Sequence, residues 1–392
     1  MGQYVARLKL VDQMMPKSLP DPLPVTVLTG FLGSGKTTIL NQLMTSGALA
    51  RTLVVINEFG AVGLDHHLVS HSNDGFVMMD SGCLCCTIRS DLGDTLANAY
   101  WRYARDGQCW FDRVVIETTG LANPVPIAGT LLSDPRLLAL YQLAGVVTTL
   151  DACLGADTLS HHPEAVLQLA LADRVLVTKP DLVTPADTAA LLMLADQINP
   201  GVPARLVQDG MVSADWLMPG GIPASAADHP EIEAWLNSSA ATQYGHHHHH
   251  GHDHSHSNAE HHRPHDIHSH GAQIKALCIT IDQQLDARAM ESWLTVLQMF
   301  VGPFLLRLKA LLFLEGEQQP LVVHAAQNLL HPIVRLSHWS GQDRTSKLVV
   351  IVRDIAPTRV LQTLSMLVRE TPHIQLQGAP ELLAAIAGGK DG

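Results

Sequence analysis

Cysteine is scarce in this chain of 392 residues: there are six, and three of them crowd into Cys83-Leu84-Cys85-Cys86. So few thiols, so unevenly spread, cannot build a disulfide framework at this length; they point to a reducing compartment and a metal or redox use. Basic charge is scarce too. Lys and Arg number 25 against 37 Asp and Glu, a formal charge of −12 at pH 7, which excludes the broad cationic surface that neutralises DNA or RNA phosphates. No apolar run reaches the roughly 18 residues of a membrane span, and residues 1–20 hold no signal-like stretch. The expectation is a cytoplasmic chain with neither nucleic-acid nor membrane partners.

What is present suffices for more than one core, since 46% of the residues are hydrophobic and 16% charged. Residues 1–22 contain three prolines and no periodicity and read as a flexible lead-in. From 23 to 209, apolar runs at 25–29, 53–57, 114–117, 145–150 and 174–178 alternate with helix-like stretches, the pattern of a doubly wound α/β sheet of parallel strands. Residues 210–272 lose that rhythm and gain Pro, Gly, Ser, Asp and His, so they read as a linker with a low-complexity tract. A smaller α+β domain over 273–385 follows: strand 274–281, helix 286–301, long strands 305–314, 321–336 and 347–352, and a final helix from Thr358.

Gly30-Phe31-Leu32-Gly33-Ser34-Gly35-Lys36-Thr37 follows an apolar strand and opens a helix, which is the setting a phosphate-binding loop requires. Gly30, Gly33, Ser34 and Gly35 let backbone N–H groups curl around phosphates at the positive end of the helix, with Thr38 in its first turn. Lys36 is expected against the β and γ phosphates, and the Thr37 hydroxyl on Mg²⁺.

Val114-Val115-Ile116-Glu117 ends a strand in an acid, where a Mg²⁺-side carboxylate is expected, and Gly120 follows within reach of a γ-phosphate. Glu117 as an ordinary strand-end acid is the plainer alternative. Asn57-Glu58-Phe59-Gly60 is the other candidate switch segment, with Glu58 a candidate catalytic acid. Thr178-Lys179-Pro180-Asp181 closes the fifth apolar run. A carboxylate at Asp181 can accept from both N1–H and the exocyclic amine of guanine, whereas adenine offers no donor at either place. Lys179 would lay its stem over the base. GTP is therefore expected over ATP, the alternative being that these residues only cap a helix starting near Pro185.

Three thiols at Cys83, Cys85 and Cys86, on what reads as a turn, supply most of a tetrahedral shell and suit Zn²⁺, Cu⁺ or Co²⁺. Buried structural thiols or a redox cluster are the alternatives. Thirteen of the 23 histidines fall between His246 and His270. His246, His247, His248, His249, His250, His252, His254 and His256 make a flexible array of weak imidazole ligands, unless they are a purification tag; interleaved Asp253, Asp266 and serines favour a native tract.

The phosphate loop from Thr29 to Thr38, Asn57-Glu58-Phe59-Gly60, Gly82-Cys83-Leu84-Cys85-Cys86, Glu117-Thr118-Thr119-Gly120 and Thr178-Lys179-Pro180-Asp181, in that order, resemble the CobW-like metallochaperone GTPases, zinc-homeostasis type. The resemblance extends through Leu305-Leu306-Arg307-Leu308-Lys309 and the 339–352 stretch of a CobW-type C-terminal domain. It implies a cytoplasmic GTPase that binds Zn²⁺ or Co²⁺ at the Cys-x-Cys-Cys motif and delivers it to a client metalloprotein; with no evident water-positioning glutamine in the switch candidates and no arginine finger, turnover is expected to be slow. Cobalt or nickel insertion, and nucleotide-regulated metal or redox sensing without delivery, remain alternatives. A homo-oligomer is compatible with the sequence, though not required by it. Ala61 stands where the family usually has glutamate, Ala310 where it usually has glycine, and Thr178 where such GTPases more often carry Asn.

Overall fold

The computed structural model of the chain describes residues 22–57, 76–78, 84–87, 91–105, 108–218, 274–327, 329–331, 333–336, 344–368 and 373–377. They build two sheets. The first contains β1 (Leu23–Gly30), β2 (Thr52–Asn57), β3 (Phe76–Met78) and β4 (Leu84–Thr87); a separate hairpin of β5 (Ala104–Arg105) and β6 (Gln108–Cys109) precedes its remaining strands. Those are β7 (Arg113–Thr118), β8 (Tyr141–Asp151), β9 (Arg174–Thr178) and β10 (Ala204–Val207).

β9 is buried along its whole length and β1 along its last six residues, as expected of strands covered on both faces. The order is β10-β9-β8-β1-β7-β2-β4-β3, and every neighbouring pair is parallel except β3 with β4. The chain leaves β1 for β2, returns to β7 beside β1, then crosses to β8 on the other side. That reversal puts the ligand crevice at the carboxyl end of β1.

The helices are α1 (Lys36–Thr45), α2 (Leu92–Tyr103), α3 (Val125–Ser133), α4 (Pro135–Leu138), α5 (Gly155–His161), α6 (Pro163–Ala170), α7 (Pro185–Ile198) and α8 (Ala214–Leu217) in the first unit, then α9 (Ala287–Phe300) and α10 (Pro357–Leu364). None among the described residues is long and apolar enough to cross a membrane. α7 begins where its own cap dictates: Thr184 Oγ1 accepts from Asp187 N at 3.2 Å and the Asp187 carboxylate accepts from Thr184 N at 3.1 Å. Thr178 to Asp181 are therefore not needed as caps.

The second sheet is antiparallel. Its strands are β11 (Ile274–Ile281), β12 (Leu305–Leu312), β13 (Leu321–Ala326), β14 (Leu329–Leu330), β15 (Val334–Arg335), β16 (Ser346–Arg353) and β17 (His373–Gln377). α9 and α10 cover one face, with Trp293, Leu297, Val360 and Leu364 packed on Leu277, Leu308 and Val350. The other face meets the first unit: Leu306, Leu311, Val322, Val349 and Ile351 share one apolar cluster with Val125, Leu167, Ala170 and Leu171. Within that interface Arg307, 1% exposed, pairs with Asp173.

Three sequence expectations change. The stretch assigned to a linker from 210 includes α8, and Leu217 and Met218 are buried beside Ile39 and Leu43, because an apolar Trp-Leu-Met run covers that face of α1. The single strand expected over 321–336 is three short ones, since Gln327 turns at φ 50° and sends the chain back along β13. After α10 comes an edge strand, β17, paired with β11.

Candidate functional site

The carboxyl end of β1 runs into a tight loop. Gly30 sits at φ 139°, and a Cβ there would lie 2.1 Å from Thr149 Oγ1; Gly35 precedes α1 at φ 91°. Neither position admits a side chain without strain. Ser34 Oγ donates to Phe31 O at 2.6 Å and lies 2.6 Å from Thr149 Oγ1, which fastens the loop to β8. Lys36 Nζ donates to the carbonyls of Gly30 at 2.8 Å and Phe31 at 3.1 Å, so the ammonium lies across the loop's mouth. A cation held over a ring of N–H groups at a helix N-terminus is suited to a polyphosphate.

Thr37 and Glu117 meet. The Thr37 hydroxyl donates to Glu117 Oε1 at 2.7 Å, and Glu117 is buried. A hydroxyl oxygen and a carboxylate beside a phosphate cradle are the donor set that Mg²⁺ prefers. The turn after β7 presses on the loop from the other side, for a Cβ on Gly120 would stand 2.6 Å from the Leu32 backbone nitrogen.

The base-reading candidates lie on the adjacent strand ends. Thr178 Oγ1 donates to Ser34 O at 2.9 Å, tying β9 to the loop in the place where Asn is more usual. Lys179, at φ 55°, extends its ammonium to Asp151 Oδ2 at 2.6 Å and Gly33 O at 3.0 Å. Both ends of its stem are thereby pinned, which leaves a flat aliphatic platform for a planar base. Asp181 is exposed. Thr38 is exposed as well, and the loop after β10 closes on it: a Cβ on Gly210 would be 3.2 Å from Thr38 O.

Sequence reasoning missed Thr149, Asp151, Gln168 and the 208–211 loop. Asp151 orders its own loop by accepting from Cys153 N at 2.8 Å and Leu154 N at 3.3 Å. Its position, an acid closing an apolar strand, matches that of Glu117 and was the available signal. Gln168 lies under the Gly120 turn and lines, with Phe31, Asp151 and Lys179, a cavity of about 320 Å³ behind the phosphate loop. Nearby, desolvation and the Asp151 carboxylate push the Cys153 thiol above the ordinary cysteine value.

The clustered cysteines are only partly placed. Cys83 lies outside the described residues, as do Glu58, Gly60 and the histidines from His246 to His256. Cys85 and Cys86 fall in β4, so this part of the expected turn is a strand, hydrogen-bonded between β2 and β3 because Leu-Cys-Cys-Thr is itself strand-forming. Cys86 is level with Val55, and Val55 with Ile116, one residue before Glu117. Two strand spacings, roughly 10 Å, separate β4 from the strand that carries Glu117.

Two family profiles match the chain: the CobW/HypB/UreG nucleotide-binding domain over residues 24–205, and the cobalamin synthesis protein CobW C-terminal domain over residues 274–368. The chain belongs to the CobW family. Among its CobW-family relatives it is 36% identical over 167 residues to the zinc chaperone YjiA of Escherichia coli, a match covering 43% of this chain and 52% of that one. It is 35% identical over 172 residues to the zinc-regulated GTPase metalloprotein activator 1 of Schizosaccharomyces pombe, covering 42% and 40%. The chain thus spans about half the length of the curated relatives it matches. The crystal structure of Zn(II)-bound YjiA GTPase from E. coli superposes with a TM-score of 0.63 at 25% identity, over 89% of this chain and 100% of that one. The parallel-sheet unit is the CobW/HypB/UreG nucleotide-binding domain, and the antiparallel unit is the CobW C-terminal domain.

Proposed function

We propose that the chain is a GTP-hydrolysing metallochaperone that holds zinc at Cys83, Cys85 and Cys86 and passes it to a client metalloprotein. The observation that carries this reading is the 2.7 Å contact of Thr37 with Glu117, made where the phosphate loop meets a strand two places from the one bearing Cys85 and Cys86. Names of relatives support the metal: one is called a zinc chaperone and another a zinc-regulated activator.

In this reading the loop N–H groups and Lys36 bind the triphosphate, Lys179 and Asp181 hold guanine, and Thr37 with Glu117 holds Mg²⁺. Held by Thr37 and Glu117, Mg²⁺ would supply positive charge that favours phosphoryl transfer. Glu58 stands on the switch segment after β2, with an acid's capacity to orient water. Loss of the γ-phosphate releases the Gly120 turn and the segment after β2, and the strand bearing the cysteines is hydrogen-bonded directly to β2. The tract from His246 to His256 serves as a weak collecting array on a tether.

The test is zinc affinity measured with Mg-GTP, with Mg-GDP and without nucleotide, alongside transfer to an apo client. Affinity that differs between nucleotides, and that Cys83→Ala, Cys85→Ala, Cys86→Ala together abolish, supports the reading. Equal affinity in all three states contradicts it.

A further inference from the structure

Gln168 is 1% exposed, and its Oε1 atom has no hydrogen-bond partner among the described residues. An unsatisfied buried amide oxygen is destabilising by itself, so core packing does not account for glutamine here; methionine would fill the same space. What the residue does is bind one turn. Its Nε2 donates to Gly120 O at 3.1 Å and to Ala122 O at 3.0 Å. Those two carbonyls bracket the turn that presses on Leu32 of the phosphate loop. The Gly120 peptide is therefore oriented from behind by one side chain.

The backbone that carries Gln168 is fixed at both of its faces. Its carbonyl accepts from Thr148 Oγ1 at 2.9 Å, inside the first sheet. Its neighbours Leu167, Ala170 and Leu171 lie on the second sheet with Leu306, Leu311 and Val322. Arg307 Nη1 reaches Leu171 O at 3.4 Å, and Arg307 pairs with Asp173 just beyond the helix. The exit of the turn rests on the same surface, because Val125, the first residue of α3, belongs to that cluster. Both ends of the Gly120 turn thus bear on the C-terminal sheet, one through α3 and the other through Gln168 and α6.

We propose that Gln168 is the positioning residue through which the C-terminal domain sets the Gly120 turn, so that whatever shifts this sheet against α6 changes GTP turnover. The inference rests on the GTPase reading above and adds its regulation. A packed interface transmits small displacements as discrete rearrangements rather than absorbing them. Here the element displaced is a helix holding the turn by two hydrogen bonds. Gln168 reaches the turn from below and makes no bond to the phosphate loop or to Lys36, so it acts on the γ-phosphate side and leaves the diphosphate contacts alone.

The test uses the full chain with Gln168→Met, which keeps the volume and removes both donors. GDP affinity is expected to stay within about twofold of wild type, while kcat for GTP falls about tenfold, the effect of one lost net hydrogen bond of about 1.4 kcal/mol. Leu306→Ala, on the far side of the interface, is expected to lower kcat in the wild type and to add nothing in the Gln168→Met background. Additive effects, unchanged kcat in Gln168→Met, or equal losses of GDP affinity and kcat overturn the proposal. If Gln168→Met fails to fold, Leu306→Ala alone decides: lowered kcat with unchanged GDP affinity supports it, and unchanged kcat overturns it. A wild-type chain that binds no guanine nucleotide sinks the GTPase reading itself, and this inference with it.

Discussion

The Thr37 hydroxyl donates to Glu117 Oε1 at 2.7 Å, across 80 residues of sequence. Parallel pairing of β1 with β7 brings this about: Leu28 is level with Glu117, so the residues that follow each strand meet at one edge. Glu117→Gln keeps the shape and removes the charge. The expected result is a GTPase rate about a hundredfold lower, or ~2.7 kcal/mol, with a higher Mg²⁺ concentration needed for half-maximal rate. Phosphate release measured across a Mg²⁺ titration checks it, and an unchanged titration midpoint would remove Glu117 from the metal.

Asp181 provides a second test, of base choice. A carboxylate accepts two hydrogen bonds from guanine; an amide in its place accepts one and donates one. Xanthine has a carbonyl where guanine has its exocyclic amine, so Asp181→Asn should bind XTP better and GTP worse. The loss for GTP is expected at about 1.5–3 kcal/mol, the usual contribution of a hydrogen bond to a charged group. Competition binding with GTP, XTP and ATP reads the result, and unchanged GTP preference would place guanine elsewhere.

Local chemistry decides which parts of the site were legible in the sequence. Gly30, Gly35, Lys36 and Thr37 are neighbours in sequence and carry their own backbone demands, so a loop and its ligand can be inferred from eight residues. Thr149, Asp151 and Gln168 join the site only through strand order, at separations such as the 115 residues between Ser34 and Thr149. No periodicity encodes that. The reach of the first unit past 210 was legible in part, as Trp216, Leu217 and Met218 are apolar, but the prolines and glycines around them masked the signal. β17 was legible too: His-Ile-Gln-Leu-Gln alternates polar and apolar residues with the two-residue period of an edge strand.

The interdomain ion pair makes a stability prediction. Burial pulls the Asp173 carboxyl upward, yet the Arg307 and Lys309 cations beside it hold it below the ordinary carboxylate value. Asp173→Asn leaves Arg307, 1% exposed, without its counter-charge. Removing one partner of a buried pair costs about 3–5 kcal/mol, so thermal melting should show a clear fall in Tm. Lys309 answers in the opposite sense. Burial and the Arg307 charge lower its ammonium to about 8, so Lys309→Met should leave Tm unchanged or raise it.

The same interface should weaken in mild acid. His324 faces Arg307, Lys309 and Asp173, and His331 faces Arg307 and Asp173; burial chiefly, then the Arg307 charge, holds both imidazoles below the usual value of 6.5, His331 at about 4. Well above 6.5 neither folded nor unfolded histidine is protonated, and no pH dependence arises from this pair. Between 6.5 and 4 the unfolded chain binds protons that the folded one refuses, so stability falls as pH falls through that window. For His331 the loss by pH 5 is about 2 kcal/mol, from about 1.4 kcal/mol per pH unit, and His324 adds to it in the same direction. Below about pH 4 the Asp173 contribution is lost as well, since a depressed carboxylate stabilises only while ionised. Melting curves at pH 7.5 and pH 5 should therefore differ more for wild type than for a chain carrying His324→Gln and His331→Gln. Equal pH slopes in the two proteins would mean that acid acts at another site.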